Sequence, residues 1–166
     1  MIKQTVLDLM NQQINHEFYS AYLYLSMSAY FESSNLPGFA KWMRVQAGEE
    51  QEHALKFYGY ILDRGGKIVL KSIPQPPTDF ASPLEVFKLS YEHEQKVTGL
   101  INALYECALT EKDVASQVLL QWYVNEQVEE EKNASQIVDM LSKIGTSVGS
   151  LYQLDHQLGK RVAGTD

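Results

Sequence analysis

The chain has 166 residues and a formal net charge of −7, with 45% hydrophobic and 21% charged residues, values typical of one soluble globular domain over 1–166. It has no run of Lys and Arg, so nucleic acid is not an expected partner. One cysteine, Cys107, excludes an internal disulfide and cysteine-rich metal sites. The longest uncharged run, 18–31, is too short and too polar for a membrane span, and the first residues do not resemble a secretion signal. We therefore expect a cytoplasmic protein with no membrane partner.

Apolar residues recur at helical spacing along most of the chain, with few interrupting glycines and prolines. They predict five helices, at about 5–33, 37–64, 83–109, 113–144 and 147–158. Pro37 can open the second helix, and Gly65 follows its end. Ser82 and Pro83 begin a capping box for the third helix, and Gly145 ends the fourth.

Connection lengths predict how these helices are arranged. Short connections join the first helix to the second and the third helix to the fourth, so the two helices of each pair should be antiparallel. The long connection 67–81 can reach about 50 Å at about 3.3 Å per residue, whereas a helix of about 28 residues is about 42 Å long. It can therefore cross the whole bundle and make the second and third helices parallel. The predicted fold is all-α, a four-helix bundle with one long crossover and a short fifth helix.

Ionisable or amide residues interrupt the apolar stripe of each long helix near its midpoint. They are Glu17 on the first helix, Glu50 and His53 on the second, Glu94 on the third, and Gln127 and Glu130 on the fourth. Since helices of similar length pack side by side, these residues should meet in the bundle centre. Buried carboxylates need a cation or protons, and no Lys or Arg shares their positions. An oxygen-rich set with one imidazole suits two Fe or Mn ions.

Other residues flank this predicted site. Tyr24, two turns from Glu17, could form a hydrogen bond or supply an electron, or could only fill the core. Four carboxylates could hold a third cation: Glu49, Glu126, Glu129 and Glu130. Consecutive glutamates alone are more typical of a solvated face. The remaining histidines are predicted to lie at the surface: His16, His93 and His156.

Several segments together form a specific pattern: YSAYLYLSMSAYF after Glu17, GFAKWM, GEEQEHA, YEHEQKVT, LQWYVNEQVEEE and LYQLDHQLGKR. Over essentially its whole length the chain resembles the non-haem ferritins of bacteria and archaea. The resemblance implies a ferritin-like iron-storage protein with ferroxidase activity, an Fe(II):oxygen oxidoreductase. It would oxidise Fe(II) with O2 or H2O2 and store Fe(III) as a hydrated oxide inside a homo-oligomeric shell of 24 subunits. The fifth helix would line the four-fold axes of that shell.

The same resemblance implies particular ligands. The first iron would be held by Glu17, Glu50 and His53, and the second by Glu50, Glu94 and Glu130, with Gln127 close by. A third iron would lie among Glu49, Glu126, Glu129 and Glu130. Tyr24 and Trp122 would be the aromatic neighbours of the centre.

Two departures from related families refine the prediction. Gln51 stands where haem-containing bacterioferritins have a methionine, so no haem is expected. Gln127 and Glu130 replace a second Glu-x-x-His pair, which favours a centre that passes iron onward over a tightly held cofactor. The main alternative is a non-storage di-iron peroxidase or oxidoreductase. A metal-free helical interaction module is a further alternative, but it would have no reason to keep acidic residues in its core.

Overall fold

The computed structural model describes residues 1–164, and that part of the chain folds into five helices without strands. They are α1 (Gln4–Ser33), α2 (Pro37–Asp63), α3 (Pro83–Thr110), α4 (Val114–Ile144) and α5 (Val148–Leu158). Caps explain several ends: Ser82 accepts a hydrogen bond from the backbone of Glu85, and Asp113 accepts one from Ser116. The predicted all-α fold is confirmed. No helix within residues 1–164 is both long and apolar enough to cross a membrane.

Contacts between the helices establish their directions. Between α1 and α2, Ser28 contacts Ala40 and Glu17 lies close to Glu50. Between α1 and α3, Tyr24 contacts Ser90, and Thr5 contacts Glu111, the residue just after α3. In both cases residue numbers rise on one helix as they fall on the other, so α2 and α3 each run antiparallel to α1. Helices α2 and α3 are therefore parallel, as the long crossover requires.

The crossover between α2 and α3 lies along α1. The Asn11 amide donates to the Lys67 carbonyl at 3.0 Å, and its oxygen accepts from the Val69 backbone at 2.8 Å. Further along, the Ser26 hydroxyl donates to the Pro77 carbonyl at 2.5 Å. These bonds satisfy backbone groups of a segment that has no secondary structure of its own.

Apolar side chains pack in two clusters at opposite ends of the bundle. One contains the stacked rings of Phe31 and Phe39, with centroids 5.1 Å apart. The other contains Phe57 and Tyr123, with centroids 4.0 Å apart. The polar mid-height residues lie between these close-packed regions, which hold the helix backbones in place on either side of them.

Helix α5 docks against the first turn of α2. Leu36, at the N-cap of α2, has no side chain that can accept a hydrogen bond, so the Asp155 carboxylate accepts from the Phe39 backbone at 2.9 Å. Gly38 makes this approach possible, because an added Cβ would lie 1.7 Å from the Asp155 carbonyl oxygen.

Replacing Gly38 with alanine should therefore separate α5 from α2. We expect a lower free energy of unfolding, by about 1–3 kcal/mol or more, because the new methyl group meets backbone that cannot rotate away. Thermal unfolding measures the change. Gly99→Ala is the matched control, since nothing lies within 4 Å of the added Cβ, and alanine should there stabilise the helix by about 0.5–1 kcal/mol. Equal melting temperatures for the two variants would contradict the close contact.

Candidate metal centre

Six polar side chains from the four long helices are buried at mid-height in the bundle. Their exposed fractions are 1% for Glu17, 2% for Glu50, 5% for His53, 1% for Glu94, 4% for Gln127 and 5% for Glu130. Each lies on the inner stripe because it is three, four or seven residues from core apolar positions of its own helix. Such burial of ionisable groups is costly unless they are paired, protonated or bound to metal.

Two groups of these side chains offer ligand atoms close enough together to share an ion. Glu17, Glu50 and His53 each place one such atom within 4.8 Å of the others. Glu50, Glu94 and Glu130 do the same. Glu50 belongs to both groups, so two cations held there would be neighbours with Glu50 between them.

The first group has one oxygen without a protein partner. Gln13 donates a hydrogen bond to Glu17 Oε1 at 2.9 Å, whereas Glu17 Oε2 is buried and has no hydrogen-bond partner within residues 1–164. His53 Nδ1 lies 3.7 Å from Glu50 Oε2. An unsatisfied buried carboxylate oxygen beside an imidazole and a second carboxylate fits a cation ligand, since such atoms otherwise carry a large desolvation cost.

The second group is oriented by neutral donors around Glu94. The Gln127 amide donates to Glu94 Oε2 at 3.1 Å. The Tyr24 hydroxyl donates to the other oxygen of Glu94 and lies 3.1 Å from the Ser90 hydroxyl. Burial and the nearby charge of Glu94 raise the pKa of Tyr24 well above its usual value, so the phenol keeps its proton and remains a donor.

Burial and mutual repulsion shift the ionisation of the whole group. Burial, followed by the charge of Glu50, raises the pKa of Glu17 and Glu130 well above the usual value and that of Glu94 to about 8. Burial also opposes ionisation of Glu50, yet contact with His53 lowers the Glu50 pKa overall. Despite burial, Glu50 in turn raises the His53 pKa to about 10. In the metal-free centre Glu50 and His53 therefore favour each other's charged forms, while the raised pKa values of the neighbouring carboxyls mean that they hold protons more tightly than usual, and a cation would compete with those protons.

An open pocket of about 480 Å³ reaches His53 between α2 and α4. The Trp122 ring lies against His53, with centroids 5.3 Å apart, and Lys56 Nζ lies 3.4 Å above the Trp122 ring. Glu126 lines the same pocket, and its carboxylate is 3.9 Å from His53 Nε2. The pocket therefore reaches the His53 edge of the centre from this side of the bundle.

The predicted third-site residues do not all come together. Glu126 and Glu130 form a possible cation group with His53. Glu129 is half-buried on the same helix. Glu49 is instead bound by Arg161, whose Nη2 lies 2.6 Å from Glu49 Oε2. A third metal site that includes Glu49 remains a prediction.

Three residues near the candidate metal centre were not predicted from the sequence. Gln13 and Gln46 hydrogen-bond to carboxylates of the centre, and their position one turn before Glu17 and Glu50 was an available signal. His93, predicted to lie at the surface, is half-buried: its Nε2 lies 2.8 Å from the Ser20 hydroxyl, and its ring centroid lies 6.3 Å from that of Tyr24.

The fold and these side chains define a class: four-helix bundles with a buried carboxylate and histidine centre. Residues 7–144 match the ferritin family model, described as a Ferritin-like domain. A bacterial non-haem ferritin of Bacteroides fragilis is 44% identical over 161 residues, covering 97% of this chain and 100% of that protein. One from Staphylococcus haemolyticus is 40% identical and covers 97% of each. The open-pore ferritin of the archaeon Archaeoglobus fulgidus has a TM-score of 0.97 and 48% identity over 98% of this chain and 100% of that chain. This chain belongs to the ferritin family.

Proposed function

We propose that this protein stores iron. It takes up Fe(II), oxidises it with O2 or H2O2 at a dinuclear ferroxidase centre in each subunit, and retains Fe(III) as a hydrated oxide mineral within a protein shell. The observation that carries the proposal is the pair of cation-sized groups joined at Glu50. The family relationship supports storage over other uses of such a pair.

Iron is the substrate of the proposed centre. Glu17, Glu50 and His53 hold the first ion, and Glu50, Glu94 and Glu130 hold the second. Carboxylate oxygens with a single imidazole suit Fe, whereas a thiolate site would select softer ions. Gln127 and Tyr24 keep Glu94 in place by hydrogen bonds from two sides. A third ion would use Glu126, Glu129 and Glu130, together with Glu49 when that residue is released from Arg161.

The protein contributes position and proton balance, and the iron ions contribute the electrons. With O2 as oxidant, two Fe(II) ions give one electron each, and O2 takes up both electrons and two protons to give H2O2. As cations bind, protonated carboxyls of the centre release protons next to the reacting oxygen. The two neutral amides, Gln46 and Gln127, can donate hydrogen bonds without adding a competing positive charge. This division of roles explains why no Lys or Arg shares the inner stripes at mid-height.

The proposed assembly is a cytoplasmic homo-oligomeric shell of 24 subunits. Large apolar side chains exposed close together on one subunit support subunit contacts, since contiguous apolar patches mark protein–protein interfaces. On α1 and the crossover they include Tyr22, Leu25, Val69, Leu70 and Ile73. Exposed Gln51, in place of a methionine, supports a shell without haem.

Aerobic loading tests storage directly. Fe(II) is added in successive portions to the purified metal-free protein, followed by size-exclusion chromatography with light scattering and iron analysis of the protein peak. We expect a large particle that retains far more iron than its two proposed sites per subunit can hold. A monomer or dimer with stoichiometric iron would instead favour the di-iron peroxidase or oxidoreductase alternative. A protein that retains no iron would favour a metal-free interaction module.

A further inference from the structure

The chain after α5 returns to the metal centre through one arginine. Arg161 lies in residues 159–164, here called the C-terminal tail, and only 7% of its side chain is exposed. Its Nη1 donates to Gln46 Oε1 at 2.8 Å, and its Nη2 donates to Glu49 Oε2 at 2.6 Å. The guanidinium carbon also lies 4.4 Å from the centre of the Trp42 ring. A buried guanidinium with two hydrogen-bond acceptors and an aromatic face is held in a defined place.

Gln46 connects this arginine to the proposed iron ligands. It is fully buried, and its Nε2 donates to Glu50 Oε1 at 3.0 Å and to Glu130 Oε2 at 2.7 Å. A guanidinium has only donors, so Arg161 must face the oxygen of the Gln46 amide. The amide nitrogen then has to point toward Glu50 and Glu130. The direction of this hydrogen-bond chain is thus set by the arginine.

Glu49 is the second acceptor of Arg161. Its other carboxylate oxygen accepts from the Gly164 backbone nitrogen at 3.3 Å, so two groups of the C-terminal tail bind it. Glu49 precedes Glu50 in the chain, and its side chain is 13% exposed, at the edge of the centre. A cation that recruited Glu49 would therefore have to compete with the positive charge of Arg161.

We propose that Arg161 is a positioning residue through which the C-terminal tail sets the metal centre: it holds Gln46 against Glu50 and Glu130, and it keeps Glu49 from a third metal ion. This inference rests on the proposed iron-binding function. Its consequence is a pair of opposite effects. Removing Arg161 should loosen the dinuclear pair, because the Gln46 amide loses its anchor. It should also tighten a third ion, because Glu49 becomes available as a ligand.

The test is a calorimetric titration of the metal-free assembled protein with Zn(II), which binds carboxylates and imidazole but does not undergo redox chemistry. For Arg161→Met we expect the weaker ion of the dinuclear pair to lose about tenfold in affinity, as is typical when an outer-shell partner of a metal ligand is removed. A third ion should gain about tenfold, because a charge-assisted hydrogen bond no longer opposes it. Gln46→Leu should show only the first change, since it leaves the Arg161–Glu49 pair in place.

Lys41→Met is the matched control for a loosened tail. Lys41 Nζ donates to the Gly159 carbonyl at 2.8 Å and anchors the same segment without contacting Gln46 or Glu49. This variant should titrate like wild type. An Arg161→Met protein that titrates like wild type, or a Lys41→Met protein that shows the same changes, would overturn the positioning role while leaving the proposed function intact. A wild-type protein that binds no Zn(II) would overturn both.

Discussion

Glu50→Ala is expected to slow aerobic Fe(II) oxidation by more than about 100-fold, since loss of an outer-shell partner alone typically costs 10–100-fold. Glu50 is the side chain shared by the two candidate groups that would hold the dinuclear pair, Glu17–Glu50–His53 and Glu50–Glu94–Glu130. Its removal takes a ligand from each ion and also removes the partner of His53. No other single substitution in the centre should affect both ions equally.

The measurement follows ferric absorbance after Fe(II) is mixed with air-saturated protein, and light scattering follows the particle size. Glu106→Ala is the control, because it removes one carboxylate from an exposed position of α3, outside either cation group. The control should oxidise iron at the wild-type rate, and all three proteins should keep the same particle size. Equal initial rates for wild type and Glu50→Ala would rule out the assigned centre.

Periodicity and helix length were sufficient to predict which residues meet in the bundle. Helical spacing places Glu17, Glu50 and Glu94 on inner faces, and the predicted helix ends place them at one height. Both properties are local, so they can be obtained from the sequence alone. Parallel α2 and α3 followed from the length of one loop. The structure brings the predicted ligand residues together in the bundle centre, where we propose that they bind iron.

The contacts of the C-terminal tail could not be predicted in the same way. Nothing in the spacing relates Arg161 to Gln46, which is 115 positions earlier in the chain. Their contact depends on how α5 docks on α2 through Asp155, a tertiary arrangement allowed by the missing side chain at Gly38. His93 was misplaced for a related reason, because Ser20 on α1 provides its partner. Local patterns indicate which face of a helix is buried, but they do not indicate which distant residue will hydrogen-bond to the polar groups on that face.

Divalent metal is expected to stabilise the protein more strongly as pH rises from about 5 to about 8, close to the Glu94 pKa. A carboxyl whose folded-state pKa is raised binds more protons folded than unfolded. It therefore lowers the free energy of unfolding as pH rises from the unfolded value of about 4.3 toward the folded value. Burial and the Glu50 charge place Glu94 in this situation, with a folded pKa of about 8. His53, raised to about 10 by Glu50 against the effect of burial, acts in the same direction once pH exceeds about 6.5.

Bound cations remove the loss of stability that ionisation of the buried carboxyls causes, because they displace the protons and neutralise the carboxylates. Each proton displaced makes metal affinity rise by up to about tenfold per pH unit. With free Zn(II) at about 100 times its Kd, the stabilisation is about 2.7 kcal/mol, or roughly 5–10 °C in melting temperature for a chain of this size. Calorimetric melting with and without Zn(II), buffered across this pH range at one free concentration of about 100 times its Kd at pH 8, measures both the size and the slope of the effect.

Glu94→Gln isolates the contribution of one carboxyl, because it keeps the shape of the side chain and removes its titration. Without metal, the variant should gain stability relative to wild type as pH rises, since the wild type alone then carries a buried charge at this position. With Zn(II), the order should reverse, because the variant lacks an anionic ligand of the second ion. A constant stability difference between the two proteins from pH 5 to 8 would show that Glu94 does not change its ionisation in the folded bundle. In that case repulsion among the core carboxyls would not be the force that draws cations into the centre.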